Sequence, residues 1–361
     1  MDTFYRPAAA DSYSRLLGPP ADVLLSPGEE PARLRSAAAE LYALLSSVTG
    51  VGDDSNHPCD SEETRLACGK AISPRDAAKC VLDYGRTSKF LRGAHAAILE
   101  ARERFPDTTV EVLYAGCGPF APLAVPLASR FTPSEVRFTL LDVNGRSLDA
   151  ARHVFQTFGL AASVRDYIRC DAASYRRDAC QAIHIVLAEA MQAALEDEPQ
   201  AAITANLAPQ ISPGGIFIPE RVAVDACLCD LTEEFESIHA VTSGGDPSAD
   251  AGKARRRIRL GRVLELTAES CSRLTETGGV VRDTSAHPQS FILEVPAGIG
   301  EGLNLTLLTA VTVFGPVALD EYESGLTCPR VLHDLGKISG GARVEFRYRG
   351  GGKPGFEYRL I

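Results

Sequence analysis

The stretch Val110-Glu111-Val112-Leu113-Tyr114-Ala115-Gly116-Cys117-Gly118-Pro119-Phe120 decides how this chain folds. Residues 110–114 form a short apolar, β-branched run that predicts a buried strand. The strand runs directly into two glycines separated by Cys117. Glycine there lets the backbone turn tightly and approach a ligand where a Cβ would collide. A dinucleotide site would carry a third glycine at the helix entry to seat a pyrophosphate, but Pro119 and Phe120 stand in its place. The next predicted strand, 137–141, ends in Asp142-Val143-Asn144. A carboxylate at that tip can accept two hydrogen bonds from a ribose diol. Strand, glycine turn and distal acid together suit an adenosyl ligand that lacks pyrophosphate.

Outward from this unit, a third strand is predicted at 183–187, and helices at 123–130, 147–158 and 199–207. Ser212-Pro213-Gly214-Gly215 then turns into Ile216-Phe217-Ile218-Pro219. Apolar strands alternating with helices imply βαβ units and a mostly parallel, Rossmann-like sheet over 109–219. Residues 1–108 read as a helical region. Leu34, Ala37, Leu41 and Leu45 mark an amphipathic helix over 30–45, and the polar, turn-rich 51–63 is a connecting loop. Ser73-Pro74-Arg75-Asp76 opens a second, longer helix, with serine capping, proline at the first helical position and aspartate in the first turn. Its apolar face continues through Phe90, Ala94 and Ile98 to an end near Phe105-Pro106. After residue 220 the helical pattern fades. Strands are predicted at 221–229, 261–266, 290–295, 303–313, 342–348 and 356–360, and a mobile loop at 243–253. Residues 220–361 are therefore expected to form a β-barrel or sandwich. The fold class is α/β plus all-β.

The 361 residues carry 47 acids against 37 Lys and Arg, a formal charge of −10. A net negative surface repels phosphate backbones and anionic lipid, which disfavours nucleic acid and membrane as partners. No window approaches the length of an apolar membrane span, and the start has no basic segment followed by an apolar stretch, so a soluble cytoplasmic protein is expected. The ten cysteines are scattered without a Cys-x-x-Cys pair, and Cys227 and Cys229 lack a second ligand pair. They read as small core residues, and no metal site is expected.

Residues 112–120 followed by Asp142 resemble the first two motifs of class I S-adenosylmethionine-dependent methyltransferases. The resemblance implies that Ala115, Gly116, Cys117 and Gly118 line the methionine part of the cofactor and that Asp142 holds the ribose. Tyr114 stands where that family has an acid. Asp171 is in the position that contacts the adenine amine, and a turn-forming role is its other reading. Asp83-Tyr84-Gly85-Arg86-Thr87-Ser88-Lys89-Phe90 is similar to the helix before the sheet in protein arginine methyltransferases, which carries Asp-x-x-Arg-Thr. In those enzymes the arginine meets the cofactor carboxylate, which assigns that role to Arg86. A planar fork matches a carboxylate, and the glycine loop supplies no cation.

The segment from Ala188-Glu189-Ala190-Met191 through Glu196-Asp197-Glu198 resembles the double-glutamate loop of the same enzymes. Glu189 and Glu198 are nine residues apart, as in that loop, and Glu196 competes with Glu198 for the second place. The resemblance spans about residues 75–225. It implies catalytic roles for Glu189 and Glu198, a cofactor contact for Glu189 as well, S-adenosyl-L-methionine as cofactor, and a homodimer formed through an arm within 225–260. The chain has no Trp, so the family's Thr-His-Trp loop is incomplete. Leu326-Thr327-Cys328-Pro329 with His333 resembles the strand leading to that loop and its histidine, with a structural histidine as the other reading.

The chemistry fits these residue types. A guanidinium is a poor nucleophile because its lone pair is delocalised. Two carboxylates can grip it, orient one nitrogen and take the released proton. The expected reaction is N-methylation of a guanidino or amino group of a small molecule, amino acid or peptide. The alternatives are C- or O-methylation of a small molecule, with Glu189 as general base, and a non-catalytic binding protein of the same fold.

Overall fold

The computed structural model describes residues 8–55, 57–178, 180–242, 255–275, 290–299, 302–335 and 338–361. Its N-terminal part contains α1 (Ala8–Leu25) and α2 (Pro31–Thr49). Proline opens α2, and Gly50 closes it in the left-handed conformation (φ 67°). Ala37, Ala38, Leu41 and Leu45 are its buried stripe. A small hairpin, β1 (Thr64–Leu66) with β2 (Gly69–Ala71), follows the 51–63 loop, and sequence reading did not anticipate it.

The long helix expected from residue 73 to 105 is broken. α3 (Pro74–Lys79) starts as expected, with the Ser73 hydroxyl accepting from the Asp76 N–H. A 3-10 turn (Cys80–Leu82) and Asp83 (φ −73°, ψ 82°) then interrupt it before α4 (Tyr84–Arg104). Asp83 spends its carboxylate on the Arg86 N–H, competing with the helical ladder. The apolar spacing runs through the break, which is why periodicity alone concealed it.

The central sheet holds β3 (Val110–Ala115), β4 (Val136–Asp142), β5 (Val164–Arg169), β6 (Ile185–Ala188) and β7 (Ile216–Ile218), all parallel, in the order β5-β4-β3-β6-β7. β5 was missed because its residues are partly exposed and mostly charged or polar. Between the strands run α5 (Val125–Ala128), shorter than its apolar stretch suggested, α6 (Gly145–Thr157), capped by Asn144, and α7 (Gln200–Leu207). β3, β4 and β6 are buried almost throughout, as a sheet covered on both faces requires.

The C-terminal part comprises β8 (Arg221–Cys229), α8 (Leu231–Thr242), β9 (Arg257–Leu266), α9 (Ala268–Thr275), β10 (Ser290–Glu294), β11 (Asn304–Phe314), β12 (Val317–Leu319), β13 (Arg330–Val331), β14 (Arg343–Arg349) and β15 (Gly355–Leu360). Two antiparallel sheets, β12-β11-β8-β9 with β13 on β11, and β10-β14-β15, enclose Val224, Leu228, Leu305, Leu307, Val344 and Phe346. Helices α8 and α9 depart from the all-β expectation for this part, and the loop expected at 243–253 lies outside the described residues. Helix α4 is seated against β11: a Cβ on Gly93 would come within 2.4 Å of Val313 Cγ1. The helix that carries Arg86 is thus wedged between the parallel sheet and the β part.

Candidate active site

Strand register brings the site together. Ala115 pairs with Leu141 on one side and Ala188 on the other. Gly116, Asp142 and Glu189 therefore come off three adjacent strands at one level. At β3 the chain order reverses, with β4 and β5 to one side and β6 and β7 to the other. Open α/β sheets bind ligands in the crevice at such a point. A cleft lies there, with Arg86, Gly116, Asp142, Asp171, Glu189 and Glu198 in its lining.

The half of the cleft over β3 and β4 is built from backbone. Gly116 and Gly118 have φ of 73° and 62°, a region that disfavours a Cβ. A Cβ on Gly116 would meet nothing nearer than the Ala190 Cβ at 3.8 Å, so conformation, not crowding, asks for glycine. The Gly118 N–H donates to Asp142 Oδ2 at 2.9 Å, and the Asn144 N–H donates to Oδ1 at 2.8 Å. Burial raises the Asp142 carboxyl, and these amides pull it back. Cys117 lines the cleft with its thiol pushed up by burial. Ala115 sits behind the wall, fully buried in the sheet core with Leu141 and Ala188. Asp171 is in the lining and also accepts from the Ala173 N–H at 2.9 Å, so it is both a turn former and a cleft residue. Tyr114 reaches the lining as well, and burial raises its hydroxyl well above the usual range.

Arg86 enters from α4. Asp83, which caps that helix, also accepts from Ser324 Oγ at 2.7 Å and from the Gly325 N–H at 3.1 Å, anchoring the helix start on the β part. The Arg86 guanidinium donates to Glu189 Oε2 in an ion pair whose side chains are 15% and 9% exposed. Burial opposes the charge on Arg86, but Glu189, Cys80 and Asp83 outweigh it and hold the group well above its usual value. For Glu189 burial prevails over the attraction of Arg86 and raises its carboxyl to about 7. Glu189 Oε1 is buried without a hydrogen-bond partner, an exception among buried polar atoms that asks for an explanation.

Of the two rival glutamates, Glu198 faces the cleft. It is 7% exposed, and its carboxyl is raised by burial and drawn back by Arg86 and a hydrogen bond from Gln192. Glu196 turns away to an ion pair with Arg330 at 2.6 Å. The loop between the two site glutamates holds Ala194, Leu195 and Asp197 at φ of 58°, 54° and 60°, a conformation unfavourable for residues with a Cβ. Remote groups over-determine it. The Ala194 N–H donates to Thr309 Oγ1 at 2.8 Å, the Asp197 N–H to the Pro354 carbonyl at 2.9 Å, and the Lys70 N–H to the Asp197 carbonyl at 2.8 Å.

His333 is exposed, in a 3-10 turn (His333–Leu335), and lies outside the cleft lining. The segment before it is a 3-10 turn (Gly325–Thr327), not a strand. The β-part loop that touches the Arg86 helix is 323–325. Among the described residues no group of His, Cys, Asp and Glu could hold a metal ion, and no helix is long and apolar enough to cross a membrane.

No family model matches the chain, and no curated protein matches it. Among solved structures the chain is similar to the Trypanosoma brucei PRMT1 enzyme-prozyme heterotetrameric complex with AdoHcy, with a TM-score of 0.53 and 16% identity over 78% of this chain and 91% of that chain. The likeness is one of fold. It covers the N-terminal helices, the parallel sheet and the antiparallel β part together.

Sequence reading missed four residues that contribute to the site. Leu66 and Lys70 reach the cleft from the small hairpin, whose strands are too short to give a pattern. Ser324 holds Asp83 from far along the chain. Gln200 is the fourth, and its only signal was an amide placed two residues after Glu198.

Proposed function

We propose that this chain is an S-adenosylmethionine-dependent methyltransferase that N-methylates a guanidino or amino group of a small molecule, an amino acid or a peptide. The observation that carries this reading is the common level at which Gly116, Asp142 and Glu189 come off β3, β4 and β6, with Arg86 paired to Glu189. The residues present fit the cofactor. The glycine turn leaves backbone open to the cleft, and Asp142 keeps lone pairs beyond its backbone partners, while Glu189 Oε1 is a buried atom left over for the methyl acceptor. The AdoHcy in the Trypanosoma brucei complex supports the same cofactor class.

When bound, S-adenosylmethionine supplies a methyl group on an electrophilic sulfonium. Arg86 would hold the methionine carboxylate through its planar fork. Asp142 would take the ribose diol, and Asp171 the adenine amine. Glu189 Oε1 and Glu198 would grip the acceptor cation and orient one nitrogen for in-line attack. With its carboxyl near 7, Glu189 is suited to take the proton released at that nitrogen around neutral pH.

The test is to incubate the protein with labelled S-adenosylmethionine and a panel of L-arginine, agmatine, L-lysine and an arginine-bearing peptide, locating any added methyl by mass spectrometry. Methyl on nitrogen supports the reading, and methyl on oxygen or carbon overturns its N-specific part. Failure to bind S-adenosylhomocysteine in calorimetry overturns it altogether.

A further inference from the structure

Gln200 is the first residue of α7 and is 0% exposed. Its side-chain amide does not serve its own helix. Gln200 Nε2 donates to the Ala188 carbonyl at 2.9 Å, and Oε1 accepts from the Ala190 N–H at 2.9 Å. Those two groups belong to the two peptide bonds that flank Glu189. One amide therefore brackets the residue that carries the carboxylate, with a hydrogen bond on either side. The reverse orientation of the amide would set donor against donor and acceptor against acceptor, so the network itself fixes the assignment. The Gln200 backbone is tied in turn, its carbonyl accepting from Thr204 Oγ1 at 2.9 Å.

We propose that Gln200 is the positioning residue of the site: its amide locks the backbone of Glu189 and so holds that carboxylate at a set separation from Glu198, two residues before Gln200 itself. This inference rests on the reading of Glu189 and Glu198 as the acceptor-gripping pair. The loop between them gives the lock its purpose. Ala194, Leu195 and Asp197 sit in unfavourable left-handed conformations, so the segment carries a standing tendency to relax. A carboxylate partner misplaced by an ångström loses most of its use in orienting a nucleophile. The lock lies beneath the cleft wall, touches no reacting atom, and acts through Glu189.

The test replaces the amide and watches Glu189 directly. Gln200→Met keeps the side chain's length and volume and removes both hydrogen bonds. Gln200→Asn keeps the amide but is one methylene too short to reach both partners, and serves if the first variant fails to fold. The Glu189 carboxyl is followed by ¹³C NMR in glutamate-labelled full-length protein and assigned with Glu189→Gln, alongside calorimetry with S-adenosylhomocysteine and thermal melting. As the loop relaxes and water reaches Glu189, its titration midpoint should fall by about one unit from that of the parent. Affinity for S-adenosylhomocysteine should stay within about threefold, because the backbone of Arg86 is set by α4 and Asp142 is held by the Gly118 and Asn144 amides. A folded variant with a lower melting temperature and an unmoved Glu189 midpoint overturns the proposal and leaves Gln200 a structural residue. A cofactor affinity that falls while the Glu189 midpoint stays put overturns it in favour of a cofactor-site role. If even the parent fails to bind S-adenosylhomocysteine, the methyltransferase reading fails, and the Glu189 midpoints still decide whether Gln200 positions it.

Discussion

The two halves of the cleft are built in opposite ways. At the tips of β3 and β4 the groups that face the cleft hold one another. Asp142 takes the N–H groups of Gly118 and Asn144, and the Leu141 carbonyl takes those of Gly116 and Cys117. In the loop after β6, each group is held by something remote. Glu189 is bracketed by Gln200 and paired with Arg86 from α4, and residues 194–197 are pinned by Thr309, Pro354 and Lys70. The first half is stiff because two neighbouring strand tips hold each other. The second is stiff only because three parts of the chain converge on it. Substitutions in the first should therefore act on cofactor affinity, and substitutions in the second on turnover.

The largest test of that division is Glu189→Gln. Turnover in a radiolabelled methyl-transfer assay should fall about a thousandfold, with the S-adenosylhomocysteine dissociation constant changed by no more than about fivefold. A parallel collapse of both would merge the two halves into one unit. Arg86→Ala should give the complementary result, weakening S-adenosylhomocysteine about a hundredfold in calorimetry through loss of a buried charge-assisted contact. An unchanged affinity would leave Arg86 only a partner of Glu189.

The pH profile sharpens the same line. Burial raises the Glu189 carboxyl from 4.5 to about 7. Its ionised, cation-gripping form is therefore present above that value and lost as pH falls through it. Below about 7, kcat/KM should decline about tenfold per unit, while cofactor binding follows a flatter course. The smallest effect is expected for Glu196→Ala. Its partner Arg330 is 46% exposed, so breaking the pair should cost at most about 1 kcal/mol in a denaturation curve and leave turnover as in the parent. A large loss of turnover there would exchange the roles of Glu196 and Glu198.

The legibility of the site in sequence follows the same division. Gly116, Gly118 and Asp142 could be read because a strand, a tight turn and a strand tip each announce themselves within a few residues. The Ser73 cap and the opening of α2 were readable for the same reason. The break at Asp83 was not, because the apolar spacing is continuous across it and the cause lies partly at Ser324 and Gly325. Spacing favoured Glu198 and kept Glu196 as its rival, because the turn at Asp197 that sends the two side chains apart leaves no mark in the sequence. The exposed His333 shows the converse, a residue that resembled a site histidine by order along the chain and is carried away from the cleft by its turn.

By itself the sequence determined the alternation of strand and helix, the glycine turn, the acid at the next strand tip and the β-rich end, because each depends on steric and hydrogen-bonding preferences within a short window. Tertiary structure alone decided that Arg86 meets Glu189, 103 residues away, that Gln200 brackets that glutamate, and that Glu196 is turned outward. Those contacts depend on which strands pair and in what register, and register is settled only when the whole sheet and the β part close on the same core.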